Sequence, residues 1–437
     1  MRYAAIGLGG RGKGQMMELL NVPGVEYVAV CDNYGDRAEK GADLVEQKTG
    51  RRPKVYQDYR ELFAREELDA VLCCTTWVTH GEIAIAAMNA GCHVAIEVGG
   101  AASAQECWDM VKTSERTGKF CMLLENCCYD RNEMAVLNIV RQGLMGEIVH
   151  CAGGYRHDLR DEIAYGKENH HGRLKNFLAR NGELYPTHEL GPIAKLLHIN
   201  RGNRFLSLVS VASKARGMAD FLHRKQPADY YLQGAQWNEG DIVDTLITCA
   251  NGETIHLTHD CTLPRFYSRD YAVQGTRGLY QESAFGNALM IDEEIGTFQG
   301  WNHRPANFDD YRAVYEHPLW KAYEKGGIHA NGHGGMDYLV LSAFADAVEH
   351  NTLPPIDVYD TAAWMAITYL SEQSIAMGGQ PVPVPDFTNG AWIEREPAVP
   401  SIFSCEEIYP DLFAADTALE NSSTATAESV LPLQASP

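Results

Sequence analysis

The feature that most constrains the fold is a glycine-rich turn within the first twelve residues. A short apolar run, Ala4–Ile6, leads into three glycines spaced as G-x-G-x-x-G, and a segment with helical spacing follows. In such a strand–turn–helix unit the glycines permit a tight turn, close approach of the backbone to a pyrophosphate, and close packing of helix on strand. The helix start then offers unpaired N–H groups to the phosphate. The sequence therefore predicts a dinucleotide-binding loop made of Gly7, Gly9, Gly10, Arg11 and Gly12.

An acidic residue at the expected distance strengthens this prediction. A second apolar run, Tyr27–Cys31, ends in Asp32, twenty positions after Gly12. At that position a carboxylate accepts hydrogen bonds from an adenosine ribose. Because a carboxylate there repels a 2′-phosphate, the pattern favours NAD over NADP, although Arg37 nearby leaves NADP as an alternative.

Strands and helices alternate along the first 125 residues. Three further apolar runs, Leu68–Thr76, His93–Glu97 and Phe120–Leu124, each follow a segment with helical spacing. Between the first two of these runs the sequence predicts a helix over Gly81–Ala90. This alternation is typical of a parallel, doubly wound sheet. Since ligands bind beyond the carboxyl ends of such strands, we expect cofactor contacts from residues at these ends, namely Thr76, Trp77, His80, Glu97, Val98 and Asn126.

The pattern changes after residue 125, where longer strand-like runs replace the regular alternation. Turn signals such as Asn251-Gly252 favour hairpins, and hence a largely antiparallel sheet. One helix is expected before these runs, from about Arg131 to Gln142. Two more, near Asp337–His350 and Val358–Met377, are expected to close this part, and Pro381–Pro385 is expected to end the regular structure. The strand-like runs are Ile148–Tyr155, Phe205–Ala215, Ile242–Ala250, Thr254–Thr262 and Tyr271–Gly275.

These patterns predict an α/β chain with two domains and an extension. We expect a Rossmann domain at 1–125, an α+β domain with an open, largely antiparallel sheet at 126–390, and a C-terminal extension at 391–437. From about Ala414 the chain is rich in Ala, Ser, Thr and Glu and nearly free of aromatic residues. Such a composition cannot form a packed core, so disorder is expected there.

Charge and cysteine usage exclude several classes of partner. The formal net charge of −21 argues against nucleic acids and anionic membranes, which need a basic face, and no apolar run is long enough to span a bilayer. The 12 cysteines contain no C-x-x-C pair, and His170-His171 has no supporting acidic cluster, so we expect reduced thiols and no metal.

The first strand begins almost at Met1, which favours the cytoplasm, while export with a trimmed leader stays open. A homo-oligomer is compatible with these features.

The order of the two halves resembles the glucose–fructose oxidoreductase and inositol dehydrogenase superfamily. Dehydrogenases of that superfamily usually carry Glu-Lys-Pro after the fifth strand, and the lysine assists hydride transfer. Here the stretch is Glu97-Val98-Gly99, without the lysine. The resemblance therefore implies NAD chemistry, with a plain sugar dehydrogenase as the alternative rather than the first interpretation.

Several longer blocks resemble one branch of it, glycoside hydrolase family 109. The similarity runs in order from Gly7 to about Asn389. It implies an NAD-dependent α-N-acetylgalactosaminidase, one of the exceptions to two-carboxylate glycoside hydrolysis. The blocks are Leu124–Arg131, Gly153–Arg160, Asn181–His188, Asn200–Arg204, Leu257–Asp260, Gly332–Tyr338 and Asp357–Asp360.

The resemblance also implies a mechanism and a set of site residues. A tightly held NAD⁺ oxidises the C3 hydroxyl of the sugar, the resulting ketone acidifies the C2 proton, and loss of that proton expels the C1 substituent. Water then adds, the hydride returns to C3, and NAD is recycled with retention of configuration. His188 is suited to take the C3 hydroxyl proton, and Tyr267 acts on the C2 proton or the leaving group. The implied substrate contacts are Tyr155, Arg173, Tyr185, His188, Tyr267 and Glu125.

Two other functions stay open from the sequence. One is an NAD-dependent sugar or polyol dehydrogenase of the same superfamily, and the other is a non-enzymatic, NAD-bound sugar sensor. The short polar segment Asp161–Gly172 is expected to border the sugar pocket, so a related hexoside is an alternative substrate.

Overall fold

The computed structural model describes residues 1–283, 285–292, 305–327 and 332–413. These residues form two β-sheets with helices packed around them, which confirms the predicted α/β fold class. No helix among them is long and apolar enough to cross a bilayer. The predicted disorder from Ala414 onward falls outside the described residues.

The first sheet is parallel and has the strand order β3-β2-β1-β4-β5-β6 in the described residues. Because the chain order reverses between β1 and β4, a crevice opens at their carboxyl ends. The strands are β1 (Arg2–Ile6), β2 (Glu26–Cys31), β3 (Lys54–Tyr56), β4 (Ala70–Cys73), β5 (His93–Ile96) and β6 (Cys121–Leu123). The helices are α1 (Gly10–Leu19), α2 (Gly35–Thr49), α3 (Tyr59–Arg65), α4 (Trp77–Asn89) and α5 (Ala104–Thr117).

Local sequence signals explain these elements. Every residue of β4 and β5 is buried, as expected for central strands covered on both faces, and this produces apolar runs without alternation. Ser103 accepts a hydrogen bond from the Glu106 N–H and so caps α5. Gly118 ends the same helix in the left-handed region, with φ of 66°.

The second sheet has the order β14-β13-β12-β11-β7-β10-β9-β8-β15 in the described residues. Only the β7–β10 pair is parallel, so the predicted, largely antiparallel sheet is confirmed. The strands are β7 (Ile148–Arg156), β8 (Phe205–Ala212), β9 (Val243–Cys249), β10 (Thr254–Asp260), β11 (Ala272–Gly275), β12 (Gly278–Gln281), β13 (Ala288–Ile291), β14 (Ala306–Asn307) and β15 (Val382–Pro383).

Nine further helices of the described residues follow β6 along the chain. Those anticipated from the sequence are α6 (Arg131–Arg141), α13 (Met336–His350) and α14 (Val358–Ala376). The short helices were not predicted, because five to ten residues give too few turns for a clear apolar stripe. They are α7 (Arg160–Ala164), α8 (Arg173–Ala179), α9 (Thr187–Leu196), α10 (Gly217–Lys225), α11 (Phe308–Tyr315) and α12 (Pro318–Lys325).

The expectation that Pro381–Pro385 ends the regular structure is wrong. Val382 and Pro383 form β15, which pairs with Leu208 and Ser207 of β8 at the edge of the second sheet. Proline is tolerated there because an edge strand leaves one row of backbone groups unpaired.

The two halves share a packed interior, which holds the crevice in a defined shape. Helix α14 is buried along most of its length and packs on both α5 and β8. Helix α13 packs on α1, the helix that follows the glycine loop. The carboxyl ends of β1, β4 and β6 therefore face side chains from the second half of the chain.

Candidate active site

The glycine loop has the shape that a dinucleotide phosphate requires. Gly7 has φ of 87°, and a Cβ atom there would lie 2.6 Å from the backbone of Cys74. A Cβ on Gly12 would lie 1.9 Å from the Gly7 carbonyl oxygen, whereas one on Gly10 meets nothing within 4 Å. Helix α1 begins at Gly10 without a side-chain cap, so its first N–H groups are available to an anion. These residues fit a bound dinucleotide.

Asp32 holds the glycine loop in place by accepting backbone hydrogen bonds. It is 6% exposed, and its two carboxylate oxygens accept hydrogen bonds from the N–H groups of Leu8 at 2.6 Å and Tyr34 at 2.9 Å. A carboxylate oxygen has a second lone pair, so Asp32 keeps the capacity to accept a ribose hydroxyl. The Nη2 of Arg37 donates to the Asn169 carbonyl at 2.7 Å.

A partly buried ion cluster joins the loop to α13. Arg11 donates two hydrogen bonds to the Asp337 carboxylate, at 2.6 and 2.9 Å, and a third to Glu97 at 3.0 Å. Asn126 donates to the same Asp337 carboxylate at 2.8 Å. Burial opposes the charge of Asp337, but hydrogen bonding from His333 and Arg11 outweighs it and holds the pKa well below its usual range.

The other predicted cofactor residues lie beyond β4 and β5. Thr76 immediately precedes α4, and Trp77 begins it. Val98 is buried, and its N–H donates to Glu97 Oε1 at 3.2 Å. His80 has no exposed surface, and its Nε2 lies 3.1 Å from the Thr75 carbonyl oxygen. Burial lowers the pKa of His80 to about 4, so the ring is neutral, and its contact with a cofactor stays a prediction.

His188 and Glu125 form a hydrogen-bonded pair at the edge of the first sheet. His188 Nδ1 lies 2.8 Å from Glu125 Oε1, which also accepts the Cys127 N–H at 3.1 Å. The Glu125 side chain is fully buried, whereas that of His188 is 13% exposed. Burial opposes the charge of Glu125, but His188 and the neighbouring hydrogen-bond donors outweigh it and lower the pKa. The carboxylate therefore orients the imidazole and leaves Nε2 as its free nitrogen.

Aromatic side chains surround His188 and form one wall of a pocket. The ring centroid of Tyr185 lies 4.9 Å from that of His188, and the ring of Tyr155 lies 5.4 Å away. Tyr267 is 6.3 Å from Tyr155, and Trp77 is 5.5 Å from Tyr185. Desolvation raises the pKa of Tyr267, so its phenol keeps its proton at neutral pH. The structure thus brings the predicted cofactor residue Trp77 next to the predicted sugar residues.

Arg173 closes another side of this pocket. Its guanidinium carbon lies 5.1 Å from the Tyr185 ring centre and 5.5 Å from that of Tyr155. Its Nε lies 3.2 Å from Glu162 Oε1. His157 Nδ1 lies 3.1 Å from the Tyr155 hydroxyl, and burial together with Arg173 lowers the pKa of His157. The pocket therefore combines stacking faces with fixed hydrogen-bonding groups.

One group in the described residues has the composition of a small metal site. Glu125, Cys127 and His188 place one oxygen, sulfur or nitrogen atom each within 4.8 Å of one another. Their donor atoms are already engaged, since His188 Nδ1 and Glu125 Oε1 hydrogen bond to each other. The absence of a metal stays a prediction.

Comparison with known proteins places this geometry in a family. The model of the C-terminal domain of glycosyl hydrolase 109 matches residues 129–394, and that of the oxidoreductase-family NAD-binding Rossmann fold matches residues 1–124. A protein of Tannerella forsythia named alpha-N-acetylgalactosaminidase is 41% identical over 421 residues, covering 91% of this chain and 88% of the relative. A family 109 protein of Stenotrophomonas maltophilia is also 41% identical, covering 91% of each. The chain belongs to glycosyl hydrolase family 109.

Solved structures similar to this family 109 chain show its fold. The myo-inositol 2-dehydrogenase of Lactobacillus plantarum aligns with a TM-score of 0.62 at 17% identity, covering 88% of this chain and 99% of that one. An NAD-binding oxidoreductase of Klebsiella pneumoniae aligns with a TM-score of 0.64 at 18% identity, with the same coverage. At this level of identity the likeness extends to the architecture alone.

Sequence reasoning missed four residues of the family 109 site. Asp337 and His333 complete the ion cluster at Arg11, and Glu162 and His157 complete the aromatic pocket beside His188. Three of the four lie in stretches that had signalled the family, Gly332–Tyr338 and Gly153–Arg160. Those two blocks could therefore have indicated these three residues. Glu162 lies instead in the short polar segment Asp161–Gly172, which is outside the blocks.

Proposed function

We propose that this chain is an NAD-dependent glycosidase that removes terminal α-N-acetylgalactosamine, or a related hexoside, with retention of configuration. Residues 1–125 hold NAD, and residues 126–390 bind the glycoside. When bound, NAD would supply a hydride acceptor for C3 of the sugar; in this proposal it is tightly held and recycled within each turnover. A relative at 41% identity named alpha-N-acetylgalactosaminidase supports the sugar assignment.

The observation that carries the proposal is the Glu125–His188 pair. It lies just beyond β6, at the edge of the sheet where the nicotinamide end of a dinucleotide binds. Glu125 holds Nδ1 at 2.8 Å, so the free Nε2 of His188 faces substrate. In this arrangement Nε2 takes the proton of the C3 hydroxyl as the hydride leaves, and gives it back when the hydride returns.

Tyr267 serves the leaving group in this proposal. A phenol carries its proton at neutral pH, so Tyr267 enters the reaction as a proton donor. When the C2 proton passes to a water molecule and the C1–O bond breaks, the phenol donates its proton to the departing oxygen. As water then adds at C1, the phenolate takes a proton from that water and C2 is protonated again from solvent. Its ring lies 5.1 Å from that of His157, at the open side of the pocket.

Binding of the sugar falls to the remaining pocket residues. Tyr155 and Tyr185 present ring faces, and Arg173 offers a planar set of donors to carbonyl or hydroxyl oxygens. Glu162 lies 3.2 Å from Arg173 Nε and so restrains the guanidinium. Val98 stands where a dehydrogenase of the superfamily would carry its lysine, and the preceding Glu97 already pairs with Arg11. Neither residue is available for proton transfer, so we assign that role to His188.

The test is turnover of an α-N-acetylgalactosaminide bearing a nitrophenyl leaving group, run in D₂O. We expect nitrophenol release without steady growth of reduced-nicotinamide absorbance, and deuterium at C2 of the sugar product. Full turnover without C2 deuterium would overturn the elimination mechanism. The double variant His188→Ala, Tyr267→Phe should lose turnover while retaining NAD.

The same assay separates the two alternatives. Steady accumulation of reduced nicotinamide with a free sugar would identify a dehydrogenase that consumes NAD. Bound NAD with no turnover of any glycoside or sugar would identify a sensor.

A further inference from the structure

The segment that links α7 to α8, residues 165–172, leaves its own domain and lies across the dinucleotide crevice. It is internally braced, since the Asn169 N–H donates to the Tyr165 carbonyl at 2.9 Å and the His171 N–H donates to that of Gly166 at 2.7 Å. The Tyr230 hydroxyl also supports the segment. Its oxygen lies 2.8 Å from the Ala164 carbonyl oxygen and 3.0 Å from Glu168 Oε1, and its proton is shared between these two acceptors. The segment is therefore a folded element that has been brought over the crevice.

One end of the segment is attached at the carboxyl end of β2. The His170 ring stacks on the Tyr34 ring, with centroids 4.3 Å apart and planes 26° from parallel. Beside this stack, Arg37 Nη2 donates to the Asn169 carbonyl at 2.7 Å, and its guanidinium lies over the Tyr34 ring at 5.1 Å. Tyr34 itself is tied to Asp32, the predicted ribose ligand.

The other end is attached at the carboxyl end of β4. A Cβ atom on Gly172 would lie 2.9 Å from the Thr76 side chain, so the backbone there is in close contact with the start of α4. The following residue, Arg173, lies over the Trp77 ring at 5.6 Å. The segment thus spans the crevice from the strand that carries Asp32 to the strand that carries Thr76.

Arg37 connects the segment to the glycine loop. Its Nη1 lies 3.6 Å from the position that a Cβ on Gly9 would take, and Gly9 is where the backbone can approach a pyrophosphate. Since Nη2 is held by Asn169, the guanidinium is fixed with its other N–H groups beside the loop. A guanidinium held in this way matches the charge and shape of a diphosphate.

We propose that residues 165–172 form a clasp over the bound dinucleotide, fastened by the His170–Tyr34 stack and the Arg37–Asn169 hydrogen bond, and that Arg37 also binds the diphosphate. The clasp rests on the proposed function in one respect: that function requires NAD to be retained between turnovers, and the clasp would retain it. A dinucleotide under the clasp leaves only after the stack and the hydrogen bond have opened. Opening, rather than loss of contacts to the glycine loop, then sets the rate of NAD release.

The experiment measures NAD release directly, without a glycoside. The full-length protein loaded with NADH is mixed with excess NAD, and the decay of bound NADH fluorescence gives the dissociation rate. We expect His170→Ala and Arg37→Met each to raise that rate roughly ten- to hundredfold, as is typical when an interface residue acts mainly on dissociation. His170→Phe, which keeps a stacking ring, should restore slow release.

Lys167→Ala is the matched control, because this residue belongs to the same segment but lies over Tyr231, at 4.9 Å, away from the crevice. Its release rate should equal that of the unmodified protein. Unchanged release in both His170→Ala and Arg37→Met, or equally fast release in Lys167→Ala, would overturn the clasp. A wild-type protein that releases NADH slowly yet cleaves no glycoside would refute the proposed function and leave the clasp in place.

Discussion

Glu125 and His188 are joined by a hydrogen bond of 2.8 Å between a carboxylate with no exposed surface and an imidazole that borders the pocket. The carboxylate comes from the 3₁₀ turn after β6 and the imidazole from the first turn of α9. The pair therefore joins the parallel sheet of the first half to the second half of the chain. Movement of either half relative to the other would change the direction of the free nitrogen.

Glu125→Gln should reduce turnover strongly with little effect on NAD content. A glutamine keeps the shape but removes the charge that fixes the tautomer and supports the imidazolium formed during proton transfer. Since positioned acid–base groups contribute about 10²- to 10⁴-fold, we expect kcat to fall within that range. Steady-state kinetics and the amount of NAD released on denaturation measure the two quantities.

Cys127→Ala is the matched control for this change. Cys127 contacts Glu125 through its backbone N–H, which alanine keeps, so kcat should stay near that of the unmodified protein. Equal losses in the two variants would indicate a general disturbance of the turn rather than a function of the carboxylate.

Asp337→Asn should destabilise the protein at neutral pH and have little effect in acid. The pKa of Asp337 is held well below its usual range, so its charge stabilises the fold above the pKa of the unfolded carboxyl and this contribution fades as the pH falls toward the folded value. Arg11 is partly exposed, so we expect about 2 kcal/mol at pH 7 rather than the larger cost of a fully buried pair. Urea unfolding at pH 7 and at about pH 2 tests this, because the contribution is lost only below the unfolded pKa of about 4. A loss of equal size at both pH values would contradict it.

The elements that the sequence predicted well are those determined by residues close together in the chain. The glycine loop follows from spacing within twelve residues, and the central strands β4 and β5 follow from continuous apolar runs. Helix α4 was expected to begin near Gly81 but begins at Trp77, because a threonine and an indole give no periodic signal at a helix start. This shift is what places Trp77 in the pocket wall.

The parts that could not be predicted depend on contacts between distant residues. Arg11 meets Asp337 across 326 positions, and Arg37 meets Asn169 across 132. Neither pair has a periodic or motif signature, since each is created only when the second half of the chain packs on the first. The position of segment 161–172 could not be predicted for the same reason, because the contacts that hold it over the crevice are made to distant residues such as Tyr34 and Thr76.

Gly12→Ala and Gly10→Ala should separate the loop's structural and binding roles. A Cβ on Gly12 would lie 1.9 Å from the Gly7 carbonyl oxygen, so the loop must shift, and a cost of about 1–3 kcal/mol in the free energy of unfolding is expected for such overpacking. A Cβ on Gly10 meets nothing within 4 Å, so the NAD-free protein should keep its stability while the methyl group occupies space beside the phosphate site. Thermal unfolding of the NAD-free proteins and titration with NAD measure both effects, and equal stability of the two variants would refute the close packing at Gly12.

Glu183→Gln should stabilise the protein increasingly as the pH rises from about 5 to 8. Burial raises the pKa of Glu183 to about 7, and neither of its oxygens has a hydrogen-bond partner. A carboxyl whose pKa is raised by folding lowers stability as the pH climbs from its unfolded to its folded value. Each pKa unit corresponds to about 1.4 kcal/mol, so the penalty reaches at most about 3 kcal/mol.

The groups that act on Glu183 are His259, which favours its charge, and Glu239 and Asp244, which oppose it. Burial and two acidic side chains disfavour the ionised form of Glu183, whereas only one imidazole favours it. Removing the charge should therefore stabilise the fold above pH 7. Glu394→Gln, the same substitution at an exposed glutamate, serves as the control and should shift the melting temperature equally little at every pH. A melting temperature of Glu183→Gln that falls relative to the unmodified protein between pH 5 and pH 8 would show that the His259 contact outweighs the cost of burying the charge.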